Sequence, residues 1–549
     1  MVQIDGKPVF EALQEISLAD GRTHDLDAGF NSLMFGPART QGSARYYNRL
    51  VSGPYRSLPD ETTWLLANGT TLRFENLADA TLPFYQQKIF TGAALGTFLD
   101  NFARQRGLKA REVEPRQQTC TVRHGFDPRP SEWPQPVVEP EDKYAGGFFL
   151  EGDQYADTAV LQINTFHSTY VGMDAYPCNA EDGVNYHRFL KTFVTKAKQT
   201  GKKKLIIDLV SNGGGLEMEL ADTFAQLFPD RHVPGFKWRA RALPELAWLV
   251  NATFPKTDME SGLGDFVIDA FQTSATRGGW PATFGPEEIA GDKFTPKMFR
   301  DVGGTLVQFS IADRALTEPP FEPKNIVILT DGDCQSACGI LVRWLTDLSP
   351  DVRLIVVGGR PTKGPMQGVG GTKGGVTYPL PMFQQILQMS FEAAGVTLPP
   401  SGLSLPSLKA SPMGLFSAAV NMVDIWSDAY KDYPVEFAVE LAHCRIFYTA
   451  ETLYDLDALW KRAADAAWNG GKCAPGSTSR ADGTIGGAPP AFISGVVQTP
   501  ASVEANTADV RKVSAAGRNV MGSLRSSRKA DWSTGAFGLE TAGSIWGLK

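Results

Sequence analysis

The chain has 549 residues, 42% of them hydrophobic and 10% aromatic, enough to bury two or three cores. Its net charge of −7 and pI near 5.6 argue against nucleic acid and anionic membrane as partners. No run approaches the roughly 18 apolar residues of a spanning helix, and no charged-then-apolar leader opens at Met1, so the chain as written reads as cytoplasmic.

In chain order, Thr70–Glu75 alternates as a strand. Between about 115 and 145, Pro115, Pro128, Pro130, Pro134, Pro136 and Pro140 mark an extended connector. Thr158–Phe166 reads as a strand that runs directly into His167. A helical stretch follows around Tyr186, Leu190, Phe193 and Ala197, where His187 is expected to pack or lie at the surface. Leu205–Val210 is a continuous apolar strand that meets Gly213, Gly214 and Gly215 and continues as a helix with Leu220, Phe224 and Leu227 on one face. Three glycines permit positive φ and close backbone approach, which suits a turn aiming N–H groups at a ligand oxygen. A turn set by sterics alone competes with that reading. Glu217 and Glu219 are expected to favour the helix N-terminus electrostatically.

After a Pro/Gly/aromatic insertion at about 233 to 322, the same pattern returns. Ile326–Leu329 is a buried strand, a Gly/Asp turn follows, and Cys338, Leu341, Val342 and Leu345 recur at helical spacing. Ser336 falls at that helix's N-terminus, where unpaired N–H groups and the dipole favour the negative charge that acyl transfer develops. Serine is equally a preferred N-cap, so capping is the competing role. Two strand–turn–helix units imply a parallel α/β layer.

Leu354–Gly358 reads as another strand, with Lys363 beyond it. A second insertion at about 377 to 435, holding Met382, Phe383, Leu387, Met389 and Phe391, can wall a substrate cleft or form a homo-oligomer interface. Beyond Cys473 the Gly/Ser/Thr/Pro-rich tail is expected to be loosely ordered, with one short helix near Asp509–Leu524. Cys120, Cys178, Cys334, Cys338, Cys444 and Cys473 are too few for a disulfide scaffold at this length. Cys334 and Cys338 match no zinc spacing and read as packing residues. No metal or cofactor is expected. Of the remaining histidines, His24, His124 and His232 lie in loop-like surroundings, and His443 completes the set of six. Asn68-Gly-Thr and Asn251-Ala-Thr are glycosylation sequons, meaningful only in a secreted chain.

Taken together, IIDLVSNGGG (206–215), ILTDGDCQSACG (328–339), Val356–Gly371 and Cys444–Trp468 resemble the tail-specific (carboxyl-terminal-processing) serine peptidases, in the fungal branch similar to chlamydial protease-like activity factor. The resemblance covers most of residues 1 to 470. It implies an α/β fold with a ClpP/crotonase-like core at 146–470, preceded by a PDZ-like remnant and helical segment at 1–114 and the connector at 115–145, and followed by the tail at 471–549. It further implies a serine-type peptidase or related acyl hydrolase acting on a peptide or small carbonyl-containing substrate. Ser336 would be the nucleophile, and Gly213, Gly214 and the Ala337 N–H would form the oxyanion hole.

Such relatives draw their catalytic histidine from an Asp-Gly-His segment ahead of the PDZ-like module, and no Asp-Gly-His occurs here. The base is then expected from His167, which follows a strand end, or from Lys363, by analogy with the branch that uses a lysine. Without a base, the same scaffold would serve a non-hydrolytic reaction on a small molecule through its oxyanion pocket, or binding as a pseudoenzyme. Relatives are commonly secreted, and this chain would be too if its true N-terminus carries a signal peptide.

Overall fold

The runs Thr158–Ile163, Lys204–Asp208, Ile326–Thr330 and Arg353–Val357 are nearly continuous in apolar residues because the sheet they build is covered on both faces. The computed structural model describes residues 1–20, 23–34, 61–76, 134–140, 143–166, 176–253, 285–289, 291–302, 313–374, 377–379, 391–392, 394–396, 402, 419–421, 423–428 and 433–486. These belong to one compact unit, Met1–Arg56 with Asp60–Val497. A second unit, Ser57–Pro59 with Gln498–Lys549, lies outside the described residues, as does the helix expected near 509–524.

The N-terminal part holds β1 (Gln3–Ile4), β2 (Lys7–Pro8), α1 (Val9–Asp20), α2 (Leu26–Ser32), β3 (Glu61–Leu65) and β4 (Thr71–Glu75). Its strands form an antiparallel sheet in the order β2-β1-β3-β4. Ile4, Leu13, Ile16, Phe30 and Leu33 make its small core.

The main sheet is assembled from β5 (Ala145–Phe149), β6 (Thr158–Ile163), β7 (Lys204–Asp208), β8 (Ile326–Thr330), β9 (Arg353–Val357) and β10 (Cys444–Ile446). The strands lie side by side in chain order, all parallel except the antiparallel β5. Because each strand adds on the same side of the last, right-handed crossovers put the intervening helices on one face. These are α3 (Tyr176–Gln199), α4 (Glu217–Leu227) and α5 (Ala337–Leu348), which pack Phe193, Phe224 and Leu341 against Leu161, Ile207 and Ile328. The alternate strand residues Val160, Ile206, Val327 and Ile355 face the other way, onto Leu459, Trp460 and Ala463 of α6 (Leu456–Trp468). The strand order never reverses, so no crevice arises at a topological switch point and a site must be built by the turns themselves.

The two insertions meet: Phe236–Arg239 and Met298–Arg300 pair, and Asp424–Ile425 joins them in a small three-stranded sheet. Phe391 is buried, while Met382, Phe383, Leu387 and Met389 lie outside the described residues. The end of the connector joins the main sheet through a Val138–Gly147 bridge. Residues 471–486, read as the start of the tail, pack on the core through a Cys444–Cys473 disulfide and a buried Ile485. No described helix is long and apolar enough to cross a membrane.

The N-terminal part docks on the C-terminal ends of β8 and β9 through α2. Asn31 Nδ2 donates to the carbonyls of Asp331 (2.7 Å) and Val357 (2.9 Å), and Asp27 accepts from Arg360 at 3.0 Å and faces Arg445 at 3.3 Å. The Arg445 side chain is only 1% exposed. Asp27→Ala leaves that cation without its carboxylate and is expected to lower stability by about 3 kcal/mol, since removing one partner of a buried pair strands the other. Urea denaturation checks this, and a midpoint equal to that of the parent would contradict it.

Candidate active site

The turn after β8 is stretched by its own residues. Gly332 takes φ +80°, and Ser336 is held at φ 52°, ψ −123°, a sparsely populated region for an L-residue that costs about 1–3 kcal/mol. Although Ser336 occupies the N-cap position of α5, its side chain makes no capping hydrogen bond. The capping role that competed at the sequence level is therefore not what this hydroxyl does. Cys334 and Cys338, expected as packing residues, are buried but bonded to each other, a disulfide that brackets Ser336.

The turn after β7 lies directly against it. β7 and β8 are adjacent and parallel, with Ile206 opposite Val327, so the two turns leave the same sheet edge. Gly214 takes φ +96°, and a Cβ there would stand 2.7 Å from Ser336 Cβ, 2.7 Å from the Gln335 carbonyl oxygen and 3.0 Å from the Ala337 nitrogen. Only glycine permits that approach. The Gly214 N–H donates to Asn212 Oδ1 at 2.8 Å, so it is occupied. Among the described residues, no protein acceptor pairs with the N–H of Gly213 or Ala337. Those two are the donors this corner offers to an oxyanion, and Gly214 contributes proximity.

Asn212 was not singled out from the sequence, yet it ties the corner together. It is fully buried, its Nδ2 donates to the Ile163 carbonyl at 2.8 Å, and its own carbonyl accepts from Gln335 N–H at 3.3 Å. Buried Asp331 likewise accepts from the N–H groups of Ser211 (3.0 Å) and Asp333 (3.1 Å).

A third segment closes the other side. Gly370 N–H donates to Gly332 O (2.8 Å), Gly371 N–H to Cys334 O (3.3 Å) and Ser336 N–H to Thr372 O (2.8 Å). The next residue, Lys373, is buried and gives its Nζ to Ala438 O (2.6 Å), Gln367 Oε1 (3.0 Å) and Glu440 (3.3 Å), while its N–H donates to Glu436 Oε2 at 2.9 Å. Glu436 also accepts from Asn421 Nδ2 at 3.1 Å, and burial pushes its carboxyl up. Asp424 is pushed up to about 6 by burial and then by Glu436. Beside Glu436 stands His24, its Nε2 3.9 Å from Glu436 Oε2 and its backbone N–H bonded to Gly370 O at 2.7 Å. Burial and the Lys373 cation hold the His24 imidazolium below its ordinary range.

The expected bases fare differently. His167 lies outside the described residues, though the chain leading to it is fixed: Phe166 bridges Gly215, and its N–H donates to Gly214 O at 2.9 Å. Lys363 is exposed in a turn that meets Pro475 through Gly364 N–H, and none of its contacts leads to Ser336. The expectation of a lysine base at 363 is corrected on that ground. The lysine that the fold brings to the nucleophile turn is Lys373, whose ammonium already has three acceptors. His187 pairs with Asp222 at 3.0 Å between α3 and α4, Glu217 pairs with Arg300, and Glu219 accepts from Tyr144. No group of metal-holding side chains occurs among the described residues.

Residues 157–369 match Peptidase family S41, and residues 1–85 match CPAF-like PDZ domain. The chain is 29% identical over 492 residues to Peptidase S41 family protein ustP of Aspergillus flavus, covering 82% of this chain and 97% of that protein. It is 26% identical over 542 residues to Peptidase S41 family protein phomP1' of Diaporthe leptostromiformis, covering 86% and 76% respectively. Among solved structures, mature CPAF complexed with lactacystin aligns over 85% of this chain and 78% of that chain at 14% identity, with a TM-score of 0.38.

Proposed function

We propose, from the premise that residues 157–369 belong to Peptidase family S41 and residues 1–85 to a CPAF-like PDZ domain, that this chain is a serine-type peptidase or related acyl hydrolase with Ser336 as nucleophile. The observation that carries the reading is the approach of Gly214 to Ser336, which sets an uncapped, strained hydroxyl beside the N–H groups of Gly213 and Ala337. Ser336 Oγ attacks the carbonyl carbon of a peptide or small acyl substrate, and the oxygen that gains charge is held by those donors, an arrangement typically worth about 10²–10³ in rate per donor. The parallel sheet in chain order, with its crossover helices on one face, fits a ClpP/crotonase-like core over 146–470. The disulfides at Cys334–Cys338 and Cys444–Cys473 favour an oxidising compartment, and so the secreted alternative, over the cytoplasm.

An alkyl fluorophosphonate tests the reading, because it phosphonylates only an activated serine. One adduct per chain on Ser336, found by intact mass and peptide mapping, is the expected result. An unlabelled Ser336 would favour the recast, non-hydrolytic scaffold.

A further inference from the structure

We propose that His24 is the general base for Ser336 and that Glu436 is the carboxylate that orients its ring. This rests on the serine-hydrolase reading above and supplies the group that reading lacks. The argument is one of placement. Ser336 N–H bonds Thr372 O, Lys373 N–H bonds Glu436, and Glu436 faces His24, in contacts of 2.8, 2.9 and 3.9 Å linked by one peptide unit. The imidazole therefore lies within roughly a dozen ångströms of the Ser336 backbone along that path, given standard peptide dimensions. Its own backbone is anchored to Gly370, two residues before the carbonyl that holds Ser336.

The side chain is 50% exposed while Glu436 is 7% exposed, so a mobile ring stands over a fixed carboxylate. Rotation about χ1 and χ2, or one bridging water, brings the nitrogen opposite Glu436 to the hydroxyl, a geometry that commonly tightens only with substrate bound. Buried Glu436 keeps both carboxylate oxygens in use, which fixes it as an orienting group. Lys373, the nearest cation, is held by three acceptors and is not available as a base.

In the step itself, the Ser336 proton passes to the imidazole as Oγ bonds to the carbonyl carbon, and the π pair moves to the oxygen held by Gly213 and Ala337. The imidazolium returns the proton to the leaving group as its bond to carbon breaks. Water then attacks the acyl-enzyme, giving its proton to His24, and Ser336 Oγ leaves with that proton restored. A base must be neutral to accept. The groups that face His24 are Glu436, Lys373 and its neighbour Asp25, with Asp424, Glu440 and Arg343 behind them. Burial and Lys373 lower its pKa, so activity should persist below the usual imidazole value of about 6.5 and fall only at more acidic pH.

The test uses the full chain and the fluorophosphonate labelling rate. His24→Ala and His24→Gln should each slow Ser336 labelling by about 10²–10⁴-fold and remove the acid limb of the rate profile. The thermal midpoint should hold, since the bond to Gly370 uses the backbone. Added imidazole should restore part of the rate in His24→Ala, a rescue that a structural role would not give. Glu436→Gln should slow labelling and shift the acid limb downward, because the imidazolium loses its anion. Wild-type labelling in His24→Ala would overturn the proposal, as would a loss confined to His167→Ala. A parent chain whose Ser336 is never labelled would overturn the hydrolase reading itself, and His24's role with it.

Discussion

Ser336→Ala is expected to lower turnover of an ester or peptide substrate by about 10⁴-fold or more, because removing a serine nucleophile costs nearly as much as removing the whole catalytic set. Stability should barely change. The hydroxyl caps no helix, and alanine bears the same backbone strain at φ 52°. Ser336→Gly sharpens the point: glycine relieves that strain, so this variant should be inactive yet more stable than the parent, by about 1 kcal/mol at the low end of the strain range. Steady-state rates with parallel urea titrations check both. Residual turnover within tenfold of the parent in either variant would remove Ser336 from the chemistry. A Ser336→Gly chain less stable than the parent would contradict the strain.

Gly214→Ala is expected to reduce kcat/KM by about 10²–10³-fold, the scale of losing an oxyanion donor. The new methyl would stand 2.7 Å from both Ser336 Cβ and the Gln335 carbonyl, so the nucleophile turn must retreat from Gly213. Positive φ adds a backbone penalty, and a control separates it from the steric effect. Gly69 has φ +84° and nothing within 4 Å of an added Cβ, so Gly69→Ala carries a comparable penalty in open space. Gly69→Ala should lose some stability and keep its activity, whereas Gly214→Ala should lose activity beyond any loss of stability. Equal kcat/KM in Gly214→Ala and the parent would show that the glycine turn does not border the reacting centre.

Much of the scaffold was legible because its signals are local. The apolar runs of β6, β7, β8 and β9, and the helical spacing of Leu220, Phe224 and Leu227 or Leu341 and Leu345, follow from burial on a sheet or a helix face, and both periods can be read within a dozen residues. The glycine turn and the strand–turn–helix around Ser336 were visible for the same reason, and their ordered motifs carried the family resemblance. Position along the chain, by contrast, predicted the base poorly. Lys363 follows β9 closely in sequence, yet its turn leads away to Pro475.

What the tertiary structure alone decided are the contacts between segments far apart in the chain. Asn212 joins three of them through hydrogen bonds that no spacing announces. His24, in a loop with no periodic signal, reaches Glu436 only because α2 docks on the ends of β8 and β9 through Asn31 and Asp27. The division of labour among the glycines was equally hidden, since it depends on Asn212 occupying the Gly214 N–H and leaving those of Gly213 and Ala337 facing the hydroxyl. Sequence determined the elements because their energetics are local. The arrangement of the site was decided by packing, because its groups meet only once distant strands have paired.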